Sequence, residues 1–333
     1  MNKTLFRAMV VEETADHRYT SSIQSRAVSD LPKGEVLIKV HYSSLNYKDA
    51  LSANGNKGVT RRYPHTPGID AAGEVADSTS DDFAIGEPVL VTGYDLGMNT
   101  SGGLAEYIRV PAGWVVRLPE GMSLKQSMTY GTAGFTAALS LLKLEESGIA
   151  PQSGDILVTG ASGGVGSLAV GILAAAGYSV VAASGKAAAT DLLTRLGAKE
   201  ILGRNAVIDT SGKPLLRTRF AGAIDTVGGD ILSFALRSVQ YGGAVTCCGN
   251  AASPELHLTV YPFILRGISL FGIDSAECPM PLRKAVWERL AGDWHLSDLD
   301  NLTTEITLEA VPEHFDAMLK GEHMGRCVVK IQP

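Results

Sequence analysis

The chain has 333 residues, long enough to favour two hydrophobic cores over one. Its apolar content of 45% is ordinary for a globular enzyme, and its net charge of −6 gives no basic footprint for nucleic acid. No apolar run approaches a membrane span, and the start Met1-Asn2-Lys3-Thr4-Leu5 lacks the apolar stretch of a signal peptide. A cytoplasmic protein without membrane contact is therefore expected. The four cysteines, Cys247, Cys248, Cys278 and Cys327, form no CxxC pair, which argues against structural zinc and against a disulfide framework.

From Ala8 to about Pro119 the signals are short β-type runs separated by glycine and proline: Val36–Val40, Gly73–Val75, Pro88–Val91 and Tyr107–Val110. This pattern predicts an antiparallel, barrel-like β domain. Near Ser123–Ser127 the character changes. A small-residue helix over Thr132–Leu139 leads into strand–helix alternation, with strands predicted at Ile156, Val180, Ile201, Ile224 and Ala244, the pattern of a doubly wound parallel sheet. After about Arg266 come a strand (Ile268–Ile273), a helix (Pro281–Leu290) and a strand (Cys327–Ile331), a tail expected to return to the first domain.

The run Ile156-Leu157-Val158-Thr159-Gly160-Ala161-Ser162-Gly163-Gly164-Val165-Gly166 joins an apolar strand to a glycine-rich turn that opens the helix Val165–Ala176. Such a turn lets backbone N–H groups at the helix start meet a pyrophosphate, so Ser162, Gly163, Gly164 and Val165 are predicted to bind a dinucleotide. An NAD site places an acidic residue about 20 residues beyond the glycines, for the ribose 2′-hydroxyl. Here the next strand ends in Ser184-Gly185-Lys186, with no carboxylate and with a hydroxyl and an ammonium to receive a 2′-phosphate. The expected cofactor is NADPH. Arg204, after the strand Glu200–Leu202, is a second phosphate clamp. The plainer alternative makes Ser184 a helix cap and Lys186 a solvated loop lysine.

A β domain followed by an Ala-Ser-Gly-Gly-Val-Gly turn resembles the medium-chain dehydrogenase/reductase superfamily. Val36–Asp49, Pro67-Gly68-Ile69-Asp70-Ala71-Ala72-Gly73 and Gly102–Tyr107 fall in its order. Ser44–Leu51, Gly131–Ala137, Ala223–Gly228 and Pro262–Arg266 are similar to its acrylyl-CoA reductase branch, whose members are often labelled quinone oxidoreductases. The resemblance implies an α/β chain with a GroES-like β-barrel catalytic domain over residues 1–127, a doubly wound parallel Rossmann domain binding NADPH over 128–266, and a C-terminal return to the catalytic domain over 267–333. Zinc-dependent relatives carry a cysteine before the aspartate of the first motif and His-Glu after the glycine of the second. This chain has Asn46-Tyr47-Lys48-Asp49 and Gly68-Ile69-Asp70, so soft and imidazole ligands are missing there and no zinc is expected.

Without a metal to polarise its oxygen, the acceptor must be primed for hydride by its own carbonyl. Tyr47 is read either as hydrogen-bond and proton donor or as a group that packs beside the nicotinamide ribose and orients the cofactor. Asn46 is its amide neighbour, and Asp70 a supporting carboxylate with a structural role favoured. The resemblance further implies cofactor contacts at Thr132, Asn250, Ile264, Ser275 and Arg326. The ordinary alternatives are core packing for Ile264, a turn for Asn250 and a surface charge for Arg326. The loop Asn54–Tyr63 is glycine-rich and basic, and its Arg61 and Arg62 either steer the phosphates of a CoA thioester or are simply solvated.

These readings lead to an NADPH-dependent, zinc-free reductase of a short 2-enoyl-CoA, acrylyl-CoA by resemblance, yielding propanoyl-CoA. A quinone or enone reductase is the alternative, and a non-catalytic NADPH-binding redox sensor a third class. A homodimer is expected, with Ile268–Phe271 pairing edge to edge.

Overall fold

The computed structural model describes residues 4–297 and 299–332. Two compact units emerge. The first runs to Thr132 and is completed by Ala276–Trp287 and the C-terminal strands, while the second comprises Ala133–Ser275 with Glu288–Ser297.

The first unit opens with the hairpin β1 (Leu5–Glu13) and β2 (Tyr19–Ala27). It continues through β3 (Val36–Ser44), α1 (Tyr47–Ala53), β4 (Asp70–Ser78), β5 (Pro88–Thr92), β6 (Tyr107–Val110) and β7 (Val116–Arg117) to α2 (Leu124–Glu146), which leads on toward the second unit. In the second unit β8 (Ile156–Val158), α3 (Gly164–Ala175), β9 (Val180–Ser184), α4 (Thr190–Arg195) and β10 (Ala198–Gly203) are followed by β11 (Phe220–Asp225) and α5 (Gly229–Ser238). Then come β12 (Val239–Cys247), α6 (Tyr261–Arg266) and β13 (Ser269–Gly272). The chain ends with α7 (Met280–Ala291), β14 (Thr303–Thr307), α8 (Val311–Leu319) and β15 (Arg326–Lys330).

The larger sheet of the first unit has the order β14-β15-β3-β4-β5-β7, with β6 also paired to β3. Its pairs are antiparallel apart from β14 and β15, which run parallel. The alternation of apolar and polar residues in β3 turns Val36, Ile38 and Val40 into a core shared with Val89, Val91, Leu104 and Ile108, to which the tail adds Val311, Phe315 and Val329. β15 thus seats beside β3, and its Val328 and Val329 pair with Ser44 and Ser43, next to the segment that begins α1.

The second unit is a six-stranded parallel sheet of order β10-β9-β8-β11-β12-β13. The order reverses at β8, so the turn after that strand lies at the switch point where such sheets hold ligands. α3 is built from small and apolar residues and is buried from Gly166 to Leu173, because a helix seated on a parallel sheet has little room for long side chains. The chain leaves this sheet later than an expected return at residue 267 implies: β13 pairs parallel with β12, since Leu270 and Phe271 continue its apolar surface.

α2 is broken at Gly131, which adopts φ 50° and ψ −156°. A methyl group there would lie 2.5 Å from Asp70 Oδ2, 2.6 Å from Ser44 Oγ and 2.8 Å from an Arg326 guanidinium nitrogen. Gly148 also has positive φ, at 81°, but its methyl would meet no atom within 4 Å. Gly131→Ala should therefore cost about 3 kcal/mol or more in denaturant unfolding, and Gly148→Ala only about 1 kcal/mol. Equal losses would mean that backbone conformation alone, and not the close approach, makes Gly131 necessary.

Candidate functional site

In the first unit the site is organised around Asp70, which is fully buried at the start of β4. Its Oδ2 accepts hydrogen bonds from Ser44 Oγ at 2.6 Å, Asn46 Nδ2 at 2.7 Å and the Thr132 backbone N–H at 2.9 Å, and its Oδ1 accepts one from Thr132 Oγ1 at 2.6 Å. The break at Gly131 is what aims the Thr132 N–H at this carboxylate. Arg326 lies in the same buried layer and donates from Nε to the Thr129 carbonyl at 2.9 Å, and from its terminal nitrogens to the Leu45 carbonyl at 3.0 Å and Ser44 Oγ at 2.8 Å.

Asn46 precedes α1, and its backbone N–H donates to Asp49 Oδ2 at 2.8 Å, one arm of a capping box. The other oxygen of Asp49 accepts from the N–H groups of Gly68 at 3.1 Å and Ile69 at 2.9 Å, tying α1 to the loop that enters β4. Tyr47 is the first residue of α1 and is 55% exposed, although every neighbour that positions it is buried.

Burial and hydrogen bonding assign these residues their places. Asp70 is buried and accepts four hydrogen bonds, which agrees with the structural role favoured for it. Asn46 directs its amide N–H groups to Asp70 and, at 3.4 Å, to the Ser44 carbonyl, so it too is a positioning residue. The surface charge envisaged as the alternative for Arg326 does not survive, because the guanidinium is buried and engaged by Thr129, Leu45 and Ser44. Thr132 is half-buried, its hydroxyl proton directed at Asp70. Arg61 and Arg62 are exposed between α1 and β4. Lys57 of the same loop is bound to Glu13 at 2.7 Å and lies over the Tyr63 ring.

In the second unit the turn from β8 to α3 hangs between neighbouring strands: the Thr159 N–H bonds the Ile224 carbonyl and the Ala161 N–H the Ala183 carbonyl, both at 3.0 Å. Gly166 packs so closely that a methyl there would sit 2.3 Å from the Gly160 carbonyl oxygen. α3 begins at Gly164, so its first N–H groups have no carbonyl one turn back and point out of the helix start. The N–H groups of Gly164 and Val165 thus lie at the open helix start, while the Gly163 N–H is bonded to the Gly160 carbonyl at 3.0 Å and Ser162 Oγ accepts a hydrogen bond from Ser184 Oγ.

Asp225, fully buried at the end of β11, steadies that turn. Its Oδ1 accepts from Thr159 Oγ1 at 2.6 Å and its Oδ2 from the Gly228 N–H at 2.8 Å, while burial raises its carboxyl above the usual range. Ser184, at the end of β9, is buried and donates to Ser162 Oγ at 2.9 Å while accepting the Lys186 backbone N–H at 3.1 Å. Its hydroxyl therefore links the end of β9 to the turn after β8. The open face beside it is made by Gly185, Lys186 and Arg204: an added methyl at Gly185 would meet Arg204 Nε at 3.4 Å, so the guanidinium lies against the bare glycine.

Asn250 is exposed beyond β12, and its Cα would be 3.3 Å from a methyl on Gly228, which places it beside the turn that Asp225 holds. Ile264 is 71% exposed on α6 and so is not core. Ser275 Oγ accepts a hydrogen bond from Thr136 Oγ1 at 2.8 Å. Sequence reasoning passed over Ser44, Asp49, Gly131 and Asp225. The spacing of Asn46 and Asp49 carries the capping-box signal that would have found Asp49, whereas Gly131 has no local signal.

Burial, and then the nearby Asp70 charge, push Asp49 up to about 7. Because the unfolded chain loses this proton near pH 4, the folded chain holds it more tightly, and the stability tied to Asp49 is complete below about pH 4 and is lost as pH rises through about 7. Denaturant midpoints of the chain should thus fall relative to Asp49→Asn up to about pH 7 and then level. A difference that does not vary with pH would show that Asp49 is already ionised throughout.

Residues 32–120 match the alcohol dehydrogenase GroES-like domain and residues 164–291 the zinc-binding dehydrogenase domain. The putative quinone oxidoreductase YhfP of Bacillus subtilis is 46% identical over 98% of this chain and 99% of its own length. Its crystal structure with NAD bound has a TM-score of 0.96, covering 98% of this chain and 100% of that one. The probable acrylyl-CoA reductase AcuI of Escherichia coli is 43% identical over 98% of this chain and 99% of its own. The YhdH oxidoreductase of Salmonella enterica, in complex with NADP, has a TM-score of 0.95 at 44% identity, covering 98% of this chain and 100% of that one.

Proposed function

The chain belongs to the medium-chain dehydrogenase/reductase family, in the branch that contains acrylyl-CoA reductases and YhfP-type quinone oxidoreductases, and on that premise we propose that it is an NADPH-dependent reductase of a short 2-enoyl-CoA such as acrylyl-CoA. The observation that carries this reading is the make-up of the Asp70 site: an exposed phenol, Tyr47, set on a buried network of carboxylates, hydroxyls and amides with no thiol or imidazole at the positions where zinc-dependent relatives hold their metal. Such a site donates a hydrogen bond to an oxygen and does not ligate zinc.

NADPH when bound supplies the hydride. Lys186 and Arg204, beside the bare Gly185, would receive the 2′-phosphate, and the strand end Ser184-Gly185-Lys186 itself contains no acidic residue to repel it. The N–H groups at the start of α3 hold the pyrophosphate. Hydride addition at the β-carbon would send the electron pair of the double bond to the carbonyl oxygen as an enolate, and a proton from the Tyr47 hydroxyl, restored from solvent, would then reach the α-carbon. Tyr47 donates the hydrogen bond that favours this charge, and Asn46, Asp49 and Asp70 keep the start of α1 in place while it does so. Arg61 and Arg62 offer cations to the phosphates of CoA. A cytoplasmic homodimer completes the reading; β13 is the edge strand of its sheet and supplies the unpaired backbone groups that a second copy would extend. Among the described residues no helix is long and apolar enough to cross a membrane.

Two measurements test the proposal. NADPH oxidation followed side by side with acrylyl-CoA, crotonyl-CoA and a soluble quinone should be fastest with acrylyl-CoA, and Tyr47→Phe should lower kcat about 100-fold. Turnover of the quinone alone would make the chain a quinone reductase, and tight NADPH binding without turnover would make it a sensor. The double variant Lys186→Ala/Arg204→Ala should lower the NADPH-to-NADH ratio of kcat/KM about 10- to 100-fold, as expected for charged hydrogen bonds worth about 1.5–3 kcal/mol. An unchanged ratio would remove both residues from cofactor selection.

A further inference from the structure

Away from the Asp70 network, α8, the loop after it and β15 bring together three side chains to which the proposed reaction gives no role. His314 lies on α8, His323 in the loop and Cys327 on β15, and one donor atom from each falls within 4.8 Å of the others. Cys327 Sγ is 3.9 Å from His314 Nδ1, and the two imidazoles meet edge to face with centroids 6.0 Å apart. The thiol is buried while both rings are half-buried, so the cluster has a closed sulfur end and an end open to solvent.

A tetrahedral zinc site sets its sulfur at about 2.3 Å and its nitrogens at about 2.0–2.1 Å from the ion. Donors bound in that way lie about 3.3–3.6 Å from one another, so the three side chains need to close by only about 1 Å. Thiolate with two imidazoles is a donor set for a borderline or soft ion and not for calcium or magnesium.

We propose that His314, His323 and Cys327 bind one zinc-type divalent ion, with the fourth position taken by water. On binding, the Cys327 thiol releases its proton to solvent and a sulfur–metal bond forms, with no change of oxidation state. The ion is not a participant in hydride transfer, because its ligands lie outside the Asn46–Asp70 segment. It bears on that segment through the backbone: the Cys327 carbonyl accepts the Leu45 N–H at 3.0 Å, and neighbouring Arg326 holds the Leu45 carbonyl and Ser44 Oγ, just ahead of Tyr47. Binding therefore fastens α8 to β15 behind the residues that place the phenol.

The test uses the full-length untagged chain, stripped with a chelator and titrated with Co²⁺. The expected result is a thiolate-to-cobalt charge-transfer band that saturates at one ion per chain, is abolished by excess Zn²⁺, and accompanies a rise in Tm. His314→Ala and His323→Ala, which alter half-buried residues, should each weaken Co²⁺ binding at least 10-fold, and Cys327→Ser should remove the charge-transfer band. Absence of the band in the folded chain overturns the proposal. So does a band that keeps its affinity in both histidine variants, which would assign the thiolate to Cys247, Cys248 or Cys278. Should Cys327→Ser fail to fold, the histidine variants still decide the matter.

Discussion

The buried carboxylate of Asp70 is the constraint around which the first unit is arranged. An ionised carboxyl taken out of water carries a penalty of several kcal/mol, and here four hydrogen bonds from Ser44, Asn46 and Thr132 offset it. Each donor sits where an element starts, ends or breaks: Ser44 closes β3, Asn46 caps α1, and Thr132 follows the interruption of α2. Satisfying one charge therefore fixes the junctions of three elements. Arg326 contributes in the same way, since its own buried guanidinium is tolerated only because carbonyls and a hydroxyl surround it.

The second unit uses the same device. Asp225 closes β11 with a buried carboxylate that gathers Thr159 and the Gly228 N–H, and so holds the turns after β8 and β11 in register with each other. In both units a buried aspartate at a strand end holds loops still while neighbouring polar groups, Tyr47 in one and Arg204 in the other, remain exposed. Rigidity beneath and exposure above is the division that binding and catalysis both require.

Much of this was legible in the sequence. The alternation in β3, the strand–glycine–helix passage after Ile156 and the Ser184-Gly185-Lys186 terminus each depend on neighbours close in the chain, and local periodicity and turn chemistry report such neighbours directly. What escaped was long-range. Nothing beside Gly131 announces that Asp70, Ser44 and Arg326 converge on it. Nothing in the sequence around Ser184 says that its hydroxyl turns inward to Ser162, and the late departure of β13 from the parallel sheet looks, residue by residue, like the start of the tail.

The sequence by itself determined the two-unit α/β architecture and the strand–glycine–helix turn at the sheet's switch point, because periodicity and glycine placement are local properties. Only the tertiary structure decided which polar residues are buried and bonded and which stay exposed. Asn46 and Arg326 are drawn into the buried network around Asp70 because burial and hydrogen-bond partners arise when segments dozens to hundreds of residues apart meet. The meeting of His314, His323 and Cys327 across a helix, a loop and a strand has the same origin.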